Sequence, residues 1–462
     1  MDEAIPRSCD IAVLVPRRGA DAILARLDDD ATSDAPWRLP SVNLVMDDDQ
    51  PMSHVFEAAA AAVGLPLIPL RLVVSELDAE RAPTLMVLEA EPLEAPPPAG
   101  FRWVEMGAVR GRVGPSGVGG TLDWWLERGR DGPDVQGPWR RPAWTRPGWH
   151  DRASSWMVDR MAEAGRPAEG PPTTIHAWPL AVVLRAPAAG GPCFLKCAAP
   201  VFAHEASITS TLAERTPDLV PEVIAIDPEE NWLLMGDLGA DIVGLGPADG
   251  WGDGLASLAA LQLAWSGEPD ALIRAGLPRR PLTRLAADIP GFLGQNELGD
   301  RLRPAVRDEW DAAVPRLVEA CERLGALGVP DTVVHGDCHP WNVARTGRGP
   351  VVFDWSDASI GPPFLDLPAT LARTPDVAIR RALADRYLAA WPEVAEADRP
   401  RVADLAMVVG SLYQVQSYLG FLGTIDPIES LDLAGADVSW LGRSLESLEH
   451  GIAAGRRTDL LA

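Results

Sequence analysis

The sequence predicts an α+β chain: a small N-terminal α/β domain, then a two-lobed unit with a strand-rich first lobe and a larger helical second lobe. Three observations carry this. Up to about residue 130, short apolar runs alternate with charged or proline-rich breaks. Between about 151 and 240, strand-like runs dominate around one helix-like segment. Beyond 250, apolar residues recur at helical spacing in one segment after another. A chain of 462 residues has room for more than one hydrophobic core.

In the first segment, residues 1–130, the runs IAVLV, SVNLVM, LRLVVSEL and TLMVLEA read as strands bounded by turn-forming residues. HVFEAAAAAVG reads as a helix, with alanines supplying propensity and Gly64 a stop. Residues 131–150 are rich in proline, glycine and tryptophan. The first two interrupt both regular periods, and the tryptophans predict a connector packed against a domain.

From 151 to 240, DRASSWMVDRMAEAG predicts a helix. IHAWPLAVVLRA and CFLKCA read as strands about the turn PAAGGP, HEASITSTLAER as a helix, and ENWLLMGDL as a buried strand running into a loop. From 241 to 462, GLASLAALQLAW, WDAAVPRLVEACERLG, VAIRRALADRYLAAW and LAMVVGSLYQVQSYLGFLG have helical spacing.

The formal charge of -25 argues against general binding to nucleic acid or to an anionic membrane surface, because long-range attraction has the wrong sign. A local basic pocket is still compatible with it. The start, MDEAIPRSCD, lacks a basic region followed by an apolar run, and no later run reaches membrane-spanning length. Five cysteines without metal-knuckle spacing fit a reduced, cytoplasmic location. Cys193 and Cys197 form C-x3-C, a weak metal signal inside a strand-like run.

The densest chemistry lies in TVVHGDCHPWNV, followed by VVFDWSDASIGPPFLDL. Pro340 prevents an uninterrupted helix between Asp337 and Asn342, and the run VVF delivers Asp354 to its end. Strands joined by TGRG place the three polar residues around one pocket. A carboxylate at Asp337 can accept a hydroxyl proton, while the Asn342 carboxamide oxygen and the Asp354 carboxylate offer the hard oxygens that magnesium prefers. His335 and His339 allow a competing zinc reading. His335, directly after an apolar strand, also suits a structural role in the turn.

These residues resemble the aminoglycoside phosphotransferase and choline kinase superfamily, whose fold is related to protein kinases. His335, Asp337 and Asn342 match its H-x-D-x-x-x-x-N motif. Asp354, Trp355, Gly361, Pro363, Asp366 and Leu367 match its D-W-x-x-x-x-x-G-x-P-x-x-D-L context. The resemblance covers roughly residues 150–450. It implies a catalytic base at Asp337, metal ligands at Asn342 and Asp354, and a loop-stabilising Asp366. Trp341 stands where glycine is frequent in the family.

Lys196 ends a strand-like run and Glu205 opens the next helix, an order that suits a phosphate-orienting lysine held by a glutamate. ENWLLMGDL resembles the lobe hinge of the superfamily, which places Met235 and Leu238 at the adenine edge. No G-x-G-x-x-G precedes the lysine strand; AEGPPTT is the better-placed nonstandard loop.

WRLPSVNLVMDDDQPMSHVFEAAAAAVGL resembles a degenerate Nudix box through Trp37, Leu39, Pro40, Gly64 and Leu65. Ala58, Ala61 and Ala62 occupy positions where that family supplies charged chemistry; Asp49 remains acidic, but one carboxylate cannot rebuild such a site. This predicts a domain without hydrolytic activity.

The expectation is therefore an ATP- and magnesium-dependent phosphotransferase acting on a hydroxyl of a small polar molecule. An acidic chain makes a cationic acceptor attractive, though net charge says little about one cleft. A catalytically inactive nucleotide-binding or regulatory module is the alternative, and an ATP-independent metallohydrolase a third.

Overall fold

The computed structural model describes residues 7–461 apart from 18, 28–35, 47–51, 65–66, 78–82, 93–95, 115, 127–140, 426–432 and 434. The chain packs as two compact units. One comprises Met1–Met157, Pro172–Leu184 and Thr424–Leu433; the other comprises Val158–Pro171, Arg185–Gly423 and Ala434–Ala462.

The first unit contains β1 (Arg7–Leu14), β2 (Ala22–Leu27), β3 (Trp37–Arg38), β4 (Ser41–Met46), α1 (Met52–Val63), β5 (Leu67–Leu77), β6 (Pro83–Pro92) and β7 (Arg102–Glu105). Helices α2 (Met106–Val109) and α3 (Ser116–Trp124) follow, then α4 (Trp149–Glu163), β8 (Thr173–Trp178) and β9 (Ala181–Ala186). Most of α4, all of β8 and most of β9 fall in this unit. One sheet runs β4-β1-β6-β5, with β1 parallel to β6 and antiparallel to β4. A smaller sheet runs β3-β2-β7.

Strand alternation divides the first unit's interior into two cores. Cys9, Ile11 and Val13 join Val55, Ala59 and Val63 of α1, whereas Ala12 and Leu14 join Ile23, Val104 and Leu122. The same sheet buries Glu89, whose carboxylate accepts a hydrogen bond from Arg71 Nε at 2.7 Å. Gly64 closes α1 with a left-handed φ of 70°. The expected single strand IHAWPLAVVLRA is instead broken at Pro179, which has no N–H to continue a ladder. Leu65, Asp49 and residues 131–140 of the expected connector lie outside the described residues. Trp144 and Trp149, in its remainder, are buried.

The first turn of α1 carries no acidic side chain. The full chain is accordingly expected to show no magnesium-dependent hydrolysis of nucleoside diphosphate compounds above a protein-free blank. Robust hydrolysis that survives Asp354→Ala would contradict this reading of the N-terminal segment.

The second unit begins its sheet with β10 (Cys193–Ala198), followed by α5 (Glu205–Arg215), β11 (Val223–Asp227) and β12 (Trp232–Met235). β12 pairs antiparallel with both β10 and β11. Next come α6 (Gly252–Trp265), α7 (Asp270–Arg274), α8 (Leu282–Asp288), α9 (Leu298–Arg301) and α10 (Pro304–Gly325). Four short strands then build the central loops: β13 (Thr332–Val334), β14 (Val343–Thr346), β15 (Gly349–Val352) and β16 (Ser359–Gly361). The unit ends with α11 (Leu367–Leu371), α12 (Val377–Leu388), α13 (Arg399–Leu422) and α14 (Ala436–His450). It is bilobal, a small sheet lobe against a larger helical one.

One contiguous core, including Trp310, Trp355, Tyr387, Trp391 and Tyr413, fills the helical lobe. At its centre lies α13, packed by α10, α12 and α14. Contrary to the sequence expectation, Glu396–Leu422 is long and apolar enough to cross a membrane by length and composition. Most of that stretch is buried inside the protein, as befits a core helix.

Candidate active site

Two antiparallel strand pairs present the polar residues. β13 pairs with β16 and ends immediately before His335, so Asp337 stands just beyond it. β14 and β15 form the hairpin joined by TGRG. Asn342 precedes β14, and Asp354 lies just past β15. Asp354 has φ 67°, a left-handed conformation that an aspartate tolerates better than a β-branched residue.

The turn after β13 is fixed by Asp366. Its carboxylate accepts hydrogen bonds from His335 N–H at 3.0 Å, Gly336 N–H at 2.8 Å and Gln262 Nε2 at 2.8 Å. Burial raises its pKa to about 7, opposed by these donors. Gln414 Nε2 donates to Gly336 O, and Thr370 Oγ1 donates to Cys338 O at 2.7 Å. The turn after β13 is thus held from α6, α11 and α13. Gly336 is required by geometry: its φ is 87°, and a Cβ there would lie 2.3 Å from Asp357 O. Gly336→Ala is therefore expected to cost more than about 1–2 kcal/mol, the left-handed penalty alone. A wild-type melting temperature would contradict it.

His335 is fully buried, with its ring 4.6 Å from that of Trp355. Its partners require the tautomer in which Nε2–H donates to Phe353 O at 3.0 Å and Nδ1 accepts from Asp337 N–H at 3.3 Å. Burial lowers its pKa to about 4. The unfolded chain therefore takes up the proton first as pH falls, so stability drops between the ordinary histidine range and about 4. Urea unfolding at pH 7, 6 and 5 is expected to give a falling free-energy advantage of the wild type over His335→Gln, a difference that cancels the opposite contribution of the raised Asp366, Glu205 and Asp337 carboxyls. An invariant or rising value would contradict neutral burial of this imidazole.

Lys196 links the two lobes. Its Nζ donates to Glu205 Oε1 at 2.7 Å and to Asp354 Oδ1 at 2.6 Å. Burial disfavours the ammonium, but the two carboxylates outweigh it and its pKa rises. Burial pushes Glu205 up to about 7. Burial also acts to raise the Asp354 pKa, but Lys196 and Ser356 Oγ, 2.6 Å away, hold it below the usual carboxylate range. Met235 lies opposite Phe194 in the β10–β12 register, on the same sheet face as Lys196. Leu238 follows in the loop and is half-buried.

Asp337 is more isolated. Arg373 Nη2 stands 3.8 Å from its Oδ1 and His339 Nε2 3.4 Å from its Oδ2. Burial raises its pKa to about 8, opposed by Arg373 and reinforced by Asp357, Asp354 and Asp366. Asn342 Nδ2 donates to Asp337 O at 3.0 Å, which ties the two motif residues together. That bond occupies the amide nitrogen and leaves the carboxamide oxygen for a cation. Trp341 packs against Gly244, where a Cβ would come within 2.5 Å of the indole, and meets Trp251 edge-on at 5.9 Å. Its replacement of a small residue is thus accommodated on the side of the loop.

The structure brings Lys196, Glu205 and Asp354 into direct contact, and Asp337 into contact with Asn342. Among the described residues there is no group of three or more His, Cys, Asp or Glu residues arranged to hold a metal. His335 spends both ring nitrogens on backbone partners, which disfavours a His335–His339 zinc cage. Cys193 and Cys197 are free and buried. Ser356 and Arg373 were missed by sequence reasoning. Ser356 was readable, two residues after Asp354, whereas Arg373 reaches the site from beyond α11.

Residues 193–404 match the family model described as the phosphotransferase enzyme family. The matched stretch is less than half of the 462-residue chain and lies within the second unit. The match lies wholly after residue 192 and lends nothing to the Nudix resemblance of the first segment. An N-acetylmuramate/N-acetylglucosamine kinase of Pseudomonas putida is 30% identical over 158 residues, 32% of this chain and 42% of the relative. The matched stretch thus spans less than half of that relative. A choline/ethanolamine kinase family protein from Mesorhizobium loti is 19% identical, with a TM-score of 0.45 over 65% of this chain and 99% of that one. A macrolide 2'-phosphotransferase from Brachybacterium faecium is 20% identical, with a TM-score of 0.40 over 64% of this chain and 98% of that one.

Proposed function

We propose that the phosphotransferase-family unit transfers the γ-phosphoryl group of ATP to a hydroxyl of a small polar molecule. The observation that carries this reading is the Lys196 ammonium bridging Glu205 and Asp354. It joins a strand lysine and a helix glutamate to the acid after β15, beside the Asp337–Asn342 pair. The sheet face carrying Met235, with Leu238 beyond it, receives the adenine; Lys196 orients the phosphates.

Asn342 and Asp354 fit magnesium by donor chemistry. The Asn342 oxygen is left by the amide bond to Asp337 O, and Asp354 engages Lys196 and Ser356 through Oδ1, leaving Oδ2. When bound there, the cation offsets charge on the phosphates. Asp337 accepts the acceptor hydroxyl's proton as the new O–P bond forms and the bond from the γ-phosphorus to the ADP oxygen breaks. ADP and the phosphorylated acceptor leave. Positioning by Asp366 and Gln414 contributes because in-line approach of the oxygen is part of the rate.

The acetylated amino sugars in the name of the Pseudomonas relative are the first acceptors to try. The five buried, free cysteines and the buried α13 suit a reduced cytoplasmic setting. Turnover of γ-labelled ATP across a panel of small hydroxyl compounds tests the reading. Magnesium-dependent label in an acceptor supports it; ATP binding without transfer to any member favours an inactive module.

A further inference from the structure

Where β12 leaves its sheet, an ion pair lies directly on the chain that leads to Leu238. Arg166 Nη1 donates to Glu222 Oε2 at 2.9 Å and Nη2 to Glu222 Oε1 at 2.7 Å, the two-pronged contact that suits a guanidinium and a carboxylate. Glu222 meets the next residue of that chain twice. Its carbonyl accepts the Gly236 N–H at 3.0 Å. Its side chain covers the Gly236 Cα so closely that a Cβ there would stand 2.6 Å from Glu222 Oε2 and 3.3 Å from Arg166 Nη1. Only glycine lets the pair lie this close.

Local structure delivers Arg166 to this point. Gly165 ends α4 with φ 72°, its N–H donating to Ala162 O at 3.0 Å while the Arg166 N–H donates to Met161 O at 2.8 Å. These two bonds make a helix-ending turn that glycine enters without strain. The chain then runs along the turn between β9 and β10: Glu169 N–H donates to Pro187 O at 2.8 Å, and Ala168 bridges Ala188. Gly191 of the same turn also meets the hinge, since a Cβ there would stand 3.5 Å from the Asp237 side chain.

The Arg166 and Glu222 side chains are 37% and 51% exposed, and an ion pair this open to water adds little to overall stability. Its place on the hinge gives it another use. Residues 236–239 are irregular, so no strand ladder fixes their backbone groups. We propose that Arg166 is a positioning residue for the nucleotide: through Glu222 it holds Gly236, and so sets where the chain from Gly236 to Leu238 meets the adenine edge. This rests on the placing of adenine in the phosphotransferase reading and deepens it. Arg166 acts through Glu222 and takes no contact with base or phosphate. Holding the hinge in its binding geometry before the nucleotide arrives lowers the ordering cost of binding.

The test measures binding of MgATP and of magnesium tripolyphosphate, which has the phosphate chain without adenosine, to the full chain by calorimetry. Arg166→Gln is expected to weaken MgATP by about 3- to 10-fold, the scale of one misplaced hydrogen bond to the base, with tripolyphosphate affinity unchanged. Glu222→Gln keeps the carbonyl for Gly236 and is expected to show the same loss, with no further loss in the double variant. Arg166→Lys, which keeps the charge but not the two-pronged contact, is expected to fall between wild type and Arg166→Gln. Should one variant fail to fold, the others carry the comparison. Unchanged MgATP affinity in the folded variants, or an equal loss for both ligands, overturns the proposal while leaving the phosphotransferase reading intact. Unmodified protein that binds tripolyphosphate as tightly as MgATP takes adenine off the hinge and overturns it as well. Unmodified protein that binds neither ligand overturns the phosphotransferase reading itself, and the role of Arg166 with it.

Discussion

Asp354→Ala is expected to reduce magnesium-dependent phosphoryl transfer to the level of a protein-free blank. Its Oδ1 accepts from Lys196 and Ser356, and its Oδ2 is the oxygen we propose for the cation. Alanine removes both, leaving Lys196 with Glu205 as its remaining carboxylate partner. Because Asp354 has φ 67°, alanine also adds local backbone strain. Asp354→Asn serves as the control, since asparagine tolerates that conformation and keeps an oxygen ligand while losing the charge. The expected order of rates is wild type, then Asn, then Ala, with Asn close to wild type in melting temperature. Unchanged turnover of the alanine variant at saturating MgATP would remove Asp354 from the site.

Asp337→Asn separates binding from chemistry. Asparagine preserves much of the side-chain shape, and the backbone bonds of this residue to His335 and Asn342 do not involve the carboxylate. Nucleotide affinity should therefore persist, with Lys196, Asn342 and Asp354 intact. Transfer should fall by roughly 10²–10⁴-fold, the scale of lost general-base assistance. Single-turnover transfer, measured beside nucleotide binding, reads the two effects separately. A wild-type chemical rate would exclude proton acceptance by Asp337; loss of nucleotide binding would give it a structural role instead.

Much of this site was legible because its residues cluster in sequence around short strands. Asp337 and Asn342 are separated by a proline-containing turn, and Asp354 follows one hairpin later. The Lys196–Glu205 pair was readable from a strand running into a helix. What the letters could not carry was long-range packing. Gln262, Gln414 and Arg373 reach the loop from α6, α13 and the turn after α11. Nothing local distinguishes them from surface polar residues. Helix α13 was legible as a helix, but not its full length: with the residues before it, it reaches the length and composition of a membrane span while lying mostly buried in the core. In the first unit, the two-sided burial of β1 produced the near-continuous apolar run IAVLV that marked it as a strand.

A crystal structure of the full chain with magnesium and a nonhydrolysable ATP analogue tests the central claim most directly. The expected result is a triphosphate beside Lys196 and an octahedral cation at about 2.0–2.1 Å from Asn342 Oδ1 and an Asp354 oxygen. Asp337 should face the γ-phosphate with room for a hydroxyl between them. A nucleotide bound away from these residues, or a tetrahedral transition metal held by His335 and His339, would contradict it.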